Sequence, residues 1–363
     1  MTRFIFFTKT MYDETPRIRH QLAELLTSYG HEVVFYQKPL FFFENSKKLI
    51  NKKINEKLEI RQTKQLIHHQ LRVHRFFSFV NSFYETNEIK KTFPGFDEND
   101  VVVNFNYDYF FLRRVFYKNK IITVINDDFV AQAKFNKGKH VLEAISNMVK
   151  VSNSVLTVSY PLYEQSKVFS DNVELFFPWS KDKFKYPEKL EKNTILLWAH
   201  IDGRIDFDII EYVLNKYKEY CLHLVGPVAS FNELKLKDLV SKFDNLKLYS
   251  STPLDELPLN DYFASIIPYK SGVADIEAVT ASNKTFQLLS KALPLITHGM
   301  PRFYEHEAIF KCNSFDEVGK AIEYCHDNFY KMQPSIEKLV NVQQPADRYA
   351  QIMSIVNEEK SNV

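Results

Sequence analysis

The sequence predicts an α/β fold made of two Rossmann-like domains facing a central cleft. Three observations carry this. Short, wholly apolar runs recur along the chain, and segments of helical period alternate with them. The rhythm breaks once, over residues 173–192 (VELFFPWSKDKFKYPEKLEK), and then restarts. The length of 363 residues, with 45% apolar and 25% charged side chains, suits two domains that each bury a core.

Wholly apolar runs suit parallel strands that are covered on both faces. Phe4-Ile5-Phe6-Phe7 is the first. Thr15-Pro16 reads as a helix N-cap with proline at the first helical position. Ile18, Leu22, Leu25 and Leu26 then line one face, and Gly30 closes the helix. Val33–Tyr36 is the next strand, which completes a βαβ unit and implies a parallel sheet. Residues 45–91 read as helical. Val101–Asn104 and Ile121–Val124 are further strands, and a helix over Val141–Val151 leads to the strand Ser154–Val158.

Past the linker the second half repeats the pattern. Strands are expected at Thr194–Trp198, His223–Gly226, Leu246–Tyr249 and Ala264–Ile267, with helices at Phe207–Tyr217 and Leu234–Phe243. Helices at Phe315–Phe329 and Arg348–Glu359 complete the chain. The domains are therefore drawn at 1–178 and 193–340, with 341–363 ending in a helix expected to pack back toward the first domain. Ligands of such halves bind beyond the carboxyl ends of the strands.

Composition excludes several classes. A net charge of +2 gives no general case for nucleic acid, and no nucleic-acid-binding module is recognisable. Cys221, Cys312 and Cys325 are odd in number and far apart, without zinc spacing, which points to a reducing compartment. Arg3 opens a short strand that runs into polar sequence, so no signal peptide is read, and no apolar run is long enough to span a membrane. Charge is uneven, however. Residues 38–91 hold 12 Lys/Arg against 5 Asp/Glu, together with Phe41, Phe42, Phe43, Phe76, Phe77, Phe79, Phe83 and Tyr84. Basic and aromatic together, this stretch has the composition of an element that rests on an anionic membrane surface. A helix pair whose aromatics pack inward is the alternative.

The most informative stretch is Ile266–Gly299. A strand ends at Pro268, a loop follows, and a helix starts at Ser282 as N-cap. Phe286, Leu289 and Leu293 recur at helical spacing, Pro294 ends the helix, and Leu295-Ile296-Thr297 reads as a buried strand. The free N–H groups of a helix start attract phosphate. Lys284 adds a positive charge there, and Gln287 lies one turn on. This is a cradle for a diphosphate.

Pro268-Tyr269, a loop, and then Ser282-Asn283-Lys284-Thr285-Phe286-Gln287 resemble the donor site of GT-B glycosyltransferases. The likeness is greatest to the xanthan-pathway glucuronosyltransferase family, whose donor motif has the form S-x-K-x-x-Q. It continues into Leu293-Pro294-Leu295-Ile296 and, more weakly, along most of the chain. The resemblance implies that Lys284 and Gln287 contact the nucleotide diphosphate. The Ser282-Asn283 backbone and Tyr269 would line the nucleoside, and Thr252 would sit near the base. It also implies a UDP-sugar donor, possibly UDP-glucuronic acid, a lipid-linked or polysaccharide acceptor in surface glycan synthesis, and no cofactor or obligate metal.

Retaining relatives carry paired glutamates in this region. Here Glu277 alone lies nearby, and the helix position is Gln287, which favours inversion. An inverting enzyme needs a base for the acceptor hydroxyl. Asp127-Asp128 follow the strand Ile121–Ile125, and the resemblance places a catalytic aspartate in this loop without fixing which of the two it is; Asp128 is preferred. Adjacent buried carboxylates repel, which raises one pKa. A helix N-cap pair is the alternative.

Four other features have two readings. Asp206-Phe207-Asp208 matches the metal-binding D-x-D pattern, but it opens a helix, where acids are favoured in any case. Arg204 could meet a phosphate or a donor carboxylate, or pair with Asp206 or Asp208. His298 could reach the donor sugar or be structural. Arg17 could meet an acceptor diphosphate or lie in solvent. The expected protein is a cytoplasmic glycosyltransferase, peripheral on the inner face of the membrane. The rival readings are a retaining GT-B enzyme, a UDP-sugar epimerase, and a non-catalytic docking subunit on the same fold.

Overall fold

The computed structural model describes residues 1–14, 17–45, 49–68, 75–92, 95–133, 137–188 and 192–358. The chain divides into two compact units, Met1–Phe177 with Ala346–Val363, and Pro178–Pro345.

The first unit holds β1 (Arg3–Phe7), β2 (Glu32–Phe41), β3 (Lys52–Lys53), β4 (Leu58–Gln65), β5 (Val101–Asn104), β6 (Lys120–Ile125), β7 (Ser154–Thr157) and β8 (Val173–Leu175). They form one sheet in the order β3-β4-β2-β1-β5-β6-β7-β8. Every neighbouring pair is parallel except β3 and β4. The strand order reverses at β1, so the switch point lies between the carboxyl ends of β1 and β5. The helices are α1 (Ile18–Ser28), α2 (Arg75–Thr92), α3 (Leu112–Val115), α4 (Gly138–Val151) and α5 (Tyr160–Lys167).

The second unit carries β9 (Thr194–Trp198), β10 (Cys221–Val225), β11 (Leu246–Tyr249), β12 (Tyr262–Pro268), β13 (Leu295–His298) and β14 (Ile309–Cys312). Their order is β11-β10-β9-β12-β13-β14, all parallel, with the switch between β9 and β12. Its helices are α6 (Phe207–Lys216), α7 (Glu233–Lys242), α8 (Ala274–Glu277), α9 (Thr285–Ser290) and α10 (Phe315–Asn341). The last helix, α11 (Pro345–Asn357), falls almost wholly in the first unit. Lys120, buried in β6, donates from Nζ to the carbonyls of Ile355 at 2.7 Å and Val356 at 3.0 Å, and to that of Glu358. These are carbonyls at the end of α11, where a cation is favoured.

Three sequence expectations change. Residues 45–91 are not one helical stretch, because β3 and β4 occupy part of it and α2 starts only at Arg75. The strand β4 buries Gln62 and Gln65, whose amides donate to the carbonyls of Lys38 at 2.6 Å and Pro39 at 3.2 Å. Polar side chains satisfied by backbone hide the strand from a hydropathy reading. The linker expected at 173–192 begins inside the sheet, as β8. Thr15-Pro16 lies outside the described residues, and α1 starts at Ile18 with Arg17 as N-cap. The Arg17 backbone N–H donates to His20 Nδ1 at 3.0 Å.

The helix α2 is turned inside out. It buries Asn81, Ser82, Glu85 and Thr86, while Phe76, Phe79 and Phe83 stay more than half exposed. Asn81 Oδ1 accepts the N–H groups of Leu66 and Ile67, both at 3.0 Å, and its Nδ2 donates to Glu85 Oε2 at 2.6 Å. Tyr109 donates to Glu85 Oε1 at 2.9 Å. Hydrogen bonds hold this part of the inner face, and apolar burial enters only further along the helix, at Ile89. Among the described residues no helix is long and apolar enough to cross a membrane.

Candidate functional site

In the second unit, the loops after β9, β11, β12 and β13 bring the expected donor residues to the carboxyl ends of the strands. Two glycines let these ends approach closely. Gly226 follows β10 at φ 144°, and a Cβ there would fall 1.9 Å from the Ala199 carbonyl oxygen. Gly299 follows β13 at φ 75°, and a Cβ would fall 2.3 Å from the Tyr269 carbonyl oxygen. Only glycine fits either place.

Two cations stand over two aromatic rings here. Lys284 Nζ lies 5.5 Å from the centroid of Trp198, the last residue of β9. Arg204 has its guanidinium carbon 5.4 Å from the Tyr269 centroid, just past β12. Each contact contributes about 0.5–1 kcal/mol when exposed and more when desolvated. Trp198 is fixed by its indole N–H, which donates to the Thr252 carbonyl at 3.0 Å. Burial pushes the Lys284 ammonium down to about 8; Arg204 adds to the push and Asp202 opposes it. Among the described residues Lys284 makes no ion pair, and a desolvated lysine of this kind favours a nearby anion.

Arg204 pairs with neither Asp206 nor Asp208. It makes a bidentate contact with Asp202, at 3.1 Å from Nε and 2.7 Å from Nη2 to Oδ2, and Nε also lies 3.0 Å from Oδ1. Burial would raise the Asp202 carboxyl, but these bonds outweigh it and leave it below its ordinary value. Asp206 is the N-cap of α6 and accepts the Asp208 N–H at 3.0 Å, which accounts for the D-x-D match. Among the described residues no group of three His, Cys, Asp or Glu side chains is placed to hold a metal. His298 Nδ1 lies 2.9 Å from the Tyr269 carbonyl and 3.9 Å from Asp206 Oδ2, so it braces the loops.

The helix of the S-x-K-x-x-Q stretch is shorter than the periodicity predicts. It runs only from Thr285 to Ser290, with Lys284 as N-cap. Ser282 shapes the turn before it. Its backbone N–H donates to Thr285 Oγ1 at 2.9 Å, and its Oγ accepts the Lys284 N–H at 3.3 Å. The Ser282 N–H is therefore already used within the turn. The helix does not reach Leu293 or Pro294, because Ala292 turns the chain at φ 65°. Six residues carry little macrodipole, so the attraction for an anion rests on Lys284. Gln287 lies partly exposed on this helix.

In the first unit the adjacent aspartates separate in role. Asp128 Oδ1 accepts the N–H groups of Val130 at 3.1 Å and Ala131 at 2.9 Å, which caps the turn after β6. Asp127 Oδ2 instead accepts from Asn126 Nδ2 at 2.5 Å and lies 3.9 Å from Arg19 Nη2. Arg17 lies 3.3 Å from Glu14 and is half exposed. Sequence reasoning passed over Trp198, Asp202 and Arg19. Trp198 carried a signal, since one of only two tryptophans ends the strand at the switch point.

No protein-family model matches the sequence, and no curated protein matches it significantly. The fold nevertheless has many counterparts among solved structures. It is the α/β fold of the GT-B glycosyltransferases, with two parallel-sheet domains. One counterpart is the lipopolysaccharide outer core galactosyltransferase WaaB, at TM-score 0.67 and 11% identity over 98% of this chain and 99% of that one. Another is Anabaena HepE in complex with UDP, at 0.67 and 8% identity over 98% and 99%. A third is the UDP-forming α,α-trehalose-phosphate synthase of Burkholderia xenovorans in complex with glucose-6-phosphate, at 0.66 and 9% identity over 98% and 100%. At such identities the likeness is one of fold.

Proposed function

We propose that the protein is a glycosyltransferase that moves a sugar from a UDP-sugar to a lipid-linked or polysaccharide acceptor in surface glycan synthesis, with inversion. The observation that carries the reading is the half-buried Lys284 over Trp198, beside Arg204, at the switch point of the second unit. The fold supports it, and so do structural counterparts that hold UDP and a sugar phosphate.

In this mechanism Lys284, assisted by Gln287 and the Asn283 backbone, stabilises the charge that grows on the departing diphosphate. Tyr269 and Thr252 line the nucleoside and base, and Arg204 meets a phosphate or a uronic carboxylate. An aspartate of the first unit takes the acceptor's hydroxyl proton while its oxygen bonds to the anomeric carbon and the bond to UDP breaks. We take Asp127 as this base, since the buried Arg19 faces its carboxylate, and Asp128 as a turn cap. No metal or other cofactor is needed in this scheme.

The exposed Phe42, Phe43, Phe76, Phe79 and Phe83 suit docking on an anionic membrane surface at the cytoplasmic face, where a lipid-linked acceptor would lie. A thermal-shift and calorimetry panel of UDP-sugars on wild type and Lys284→Ala tests the reading. UDP-sugar stabilisation that weakens at least about tenfold in the variant is expected, and equal UDP affinity in both would refute it. The anomeric configuration of the product, read by NMR, tests inversion.

A further inference from the structure

Arg19 is the second residue of α1, yet its side chain keeps only 6% of its surface. It sits at the positive end of an 11-residue helix, where a cation is disfavoured. A buried charge in such a place is costly unless it is paired. Its hydrogen bonding is thin. Nη1 donates to Thr10 Oγ1 at 3.3 Å, and the buried Nε has no acceptor. The Phe105 ring stands 5.8 Å from the guanidinium carbon.

The carboxylate that faces this cation is Asp127, 3.9 Å away through Oδ2. Glu14 and Arg17, from the segment before α1, act on Arg19 more weakly and with opposite signs. Asp128, next to Asp127, is turned toward the N–H groups of Val130 and Ala131. Arg19 and Asn126 both face Oδ2 of this carboxylate.

We propose that Arg19 is a positioning residue for Asp127: its guanidinium sets the direction of the carboxylate and balances its charge. This rests on the reading of Asp127 as the general base. A proton taken by Asp127 would leave the buried cation without its counterion, which favours prompt release of that proton. Burial lowers the Arg19 pKa and Asp127 works against that, which agrees with a cation that depends on this carboxylate.

The test uses the full-length protein. The Asp127 carboxyl is assigned by ¹³C NMR through Asp127→Asn and titrated in wild type, Arg19→Met and Arg19→Lys. UDP release by hydrolysis of UDP-glucuronic acid is followed against pH in the same proteins. In Arg19→Met the carboxyl pKa is expected to rise by about one unit or more. The acid limb of the rate profile should move with it, and kcat should fall at least about tenfold with the donor KM unchanged. Arg19→Lys, which keeps the charge and safeguards folding, should recover part of both. An unmoved titration in Arg19→Met overturns the proposal. So does a lower melting temperature with an unchanged rate profile, which would mark Arg19 as structural. Wild-type UDP release in Asp127→Asn would instead refute the base assignment, and the NMR titration would still decide the coupling.

Discussion

Lys284 holds its ammonium over the Trp198 ring at 5.5 Å, with Arg204 close enough to depress its pKa further. The consequence is a donor affinity that depends on pH. With the Lys284 pKa near 8, the cation is complete below that value and lost above it. A bound diphosphate restores the charge, so binding takes up a proton. Calorimetry should show UDP affinity falling by up to about tenfold per pH unit above 8, with proton uptake. Lys284→Ala should bind weakly and without this pH dependence. Flat affinity in the wild type between pH 7 and 9.5 would contradict the assignment.

Arg204 has two effects of opposite sign. It lowers the Lys284 pKa and also offers a second positive charge. Arg204→Gln should therefore weaken UDP binding at pH 7 by about tenfold, the loss of one charged contact. It should also shift the pH at which affinity falls upward. A variant with weaker binding but the same pH midpoint would show that Arg204 does not act on Lys284.

Gly226 and Gly272 form a matched pair. Both have positive φ, 144° and 77°, but a Cβ at Gly226 would strike the Ala199 carbonyl, while one at Gly272 meets nothing within 4 Å. Gly272→Ala should cost about 1 kcal/mol, the strain of the left-handed backbone alone. Gly226→Ala should cost more than about 3 kcal/mol, because backbone must move. Urea denaturation of both variants measures the difference, and equal costs would count against the close approach of β9 and β10.

The inverted helix α2 separates stability from surface behaviour. Asn81→Ala should destabilise the protein by about 1–3 kcal/mol, since it orphans the N–H groups of Leu66 and Ile67. Phe79→Asp with Phe83→Asp should leave the melting temperature nearly unchanged. In flotation with phosphatidylglycerol vesicles, the double aspartate variant should lose the binding that the wild type shows. Equal flotation of both proteins would remove the case for membrane docking.

The two aspartates after β6 make a second matched pair. Asp128→Ala should lower stability by about 1 kcal/mol through loss of the turn cap and leave measurable UDP release. Asp127→Asn should lose about 10²–10⁴ of the rate, with a lower melting temperature because the buried Arg19 loses the charge that faces it. Activity assays beside thermal melts distinguish the two, and the reverse pattern would return the base role to Asp128.

These contrasts also show what could be read from the sequence. The strands β1, β5, β6, β9 and β12 are continuous apolar runs, so their existence and the doubly wound pattern were legible. The strand β4 was not, because Gln62 and Gln65 are buried by bonding to backbone. The helix of the donor stretch was expected from a Ser282 N-cap but starts at Thr285, and it was made too long, since Leu293 keeps the period after Ala292 has turned the chain. Arg204 was weighed only against Asp206 and Asp208, and the structure pairs it with Asp202, which the sequence reading had not considered. Arg19 looked like any first-turn arginine, because burial is a tertiary property with no local signature.

The path of the last helix bears on how the chain is made. The second unit is a single continuous segment, Pro178–Pro345, and all of it is translated before the segment that completes the first unit. The first unit is completed by Ala346–Val363, and Lys120 bonds to carbonyls at Ile355, Val356 and Glu358. The half that is translated first therefore finishes folding last. Until α11 has been made, β6 carries a lysine without these carbonyl partners.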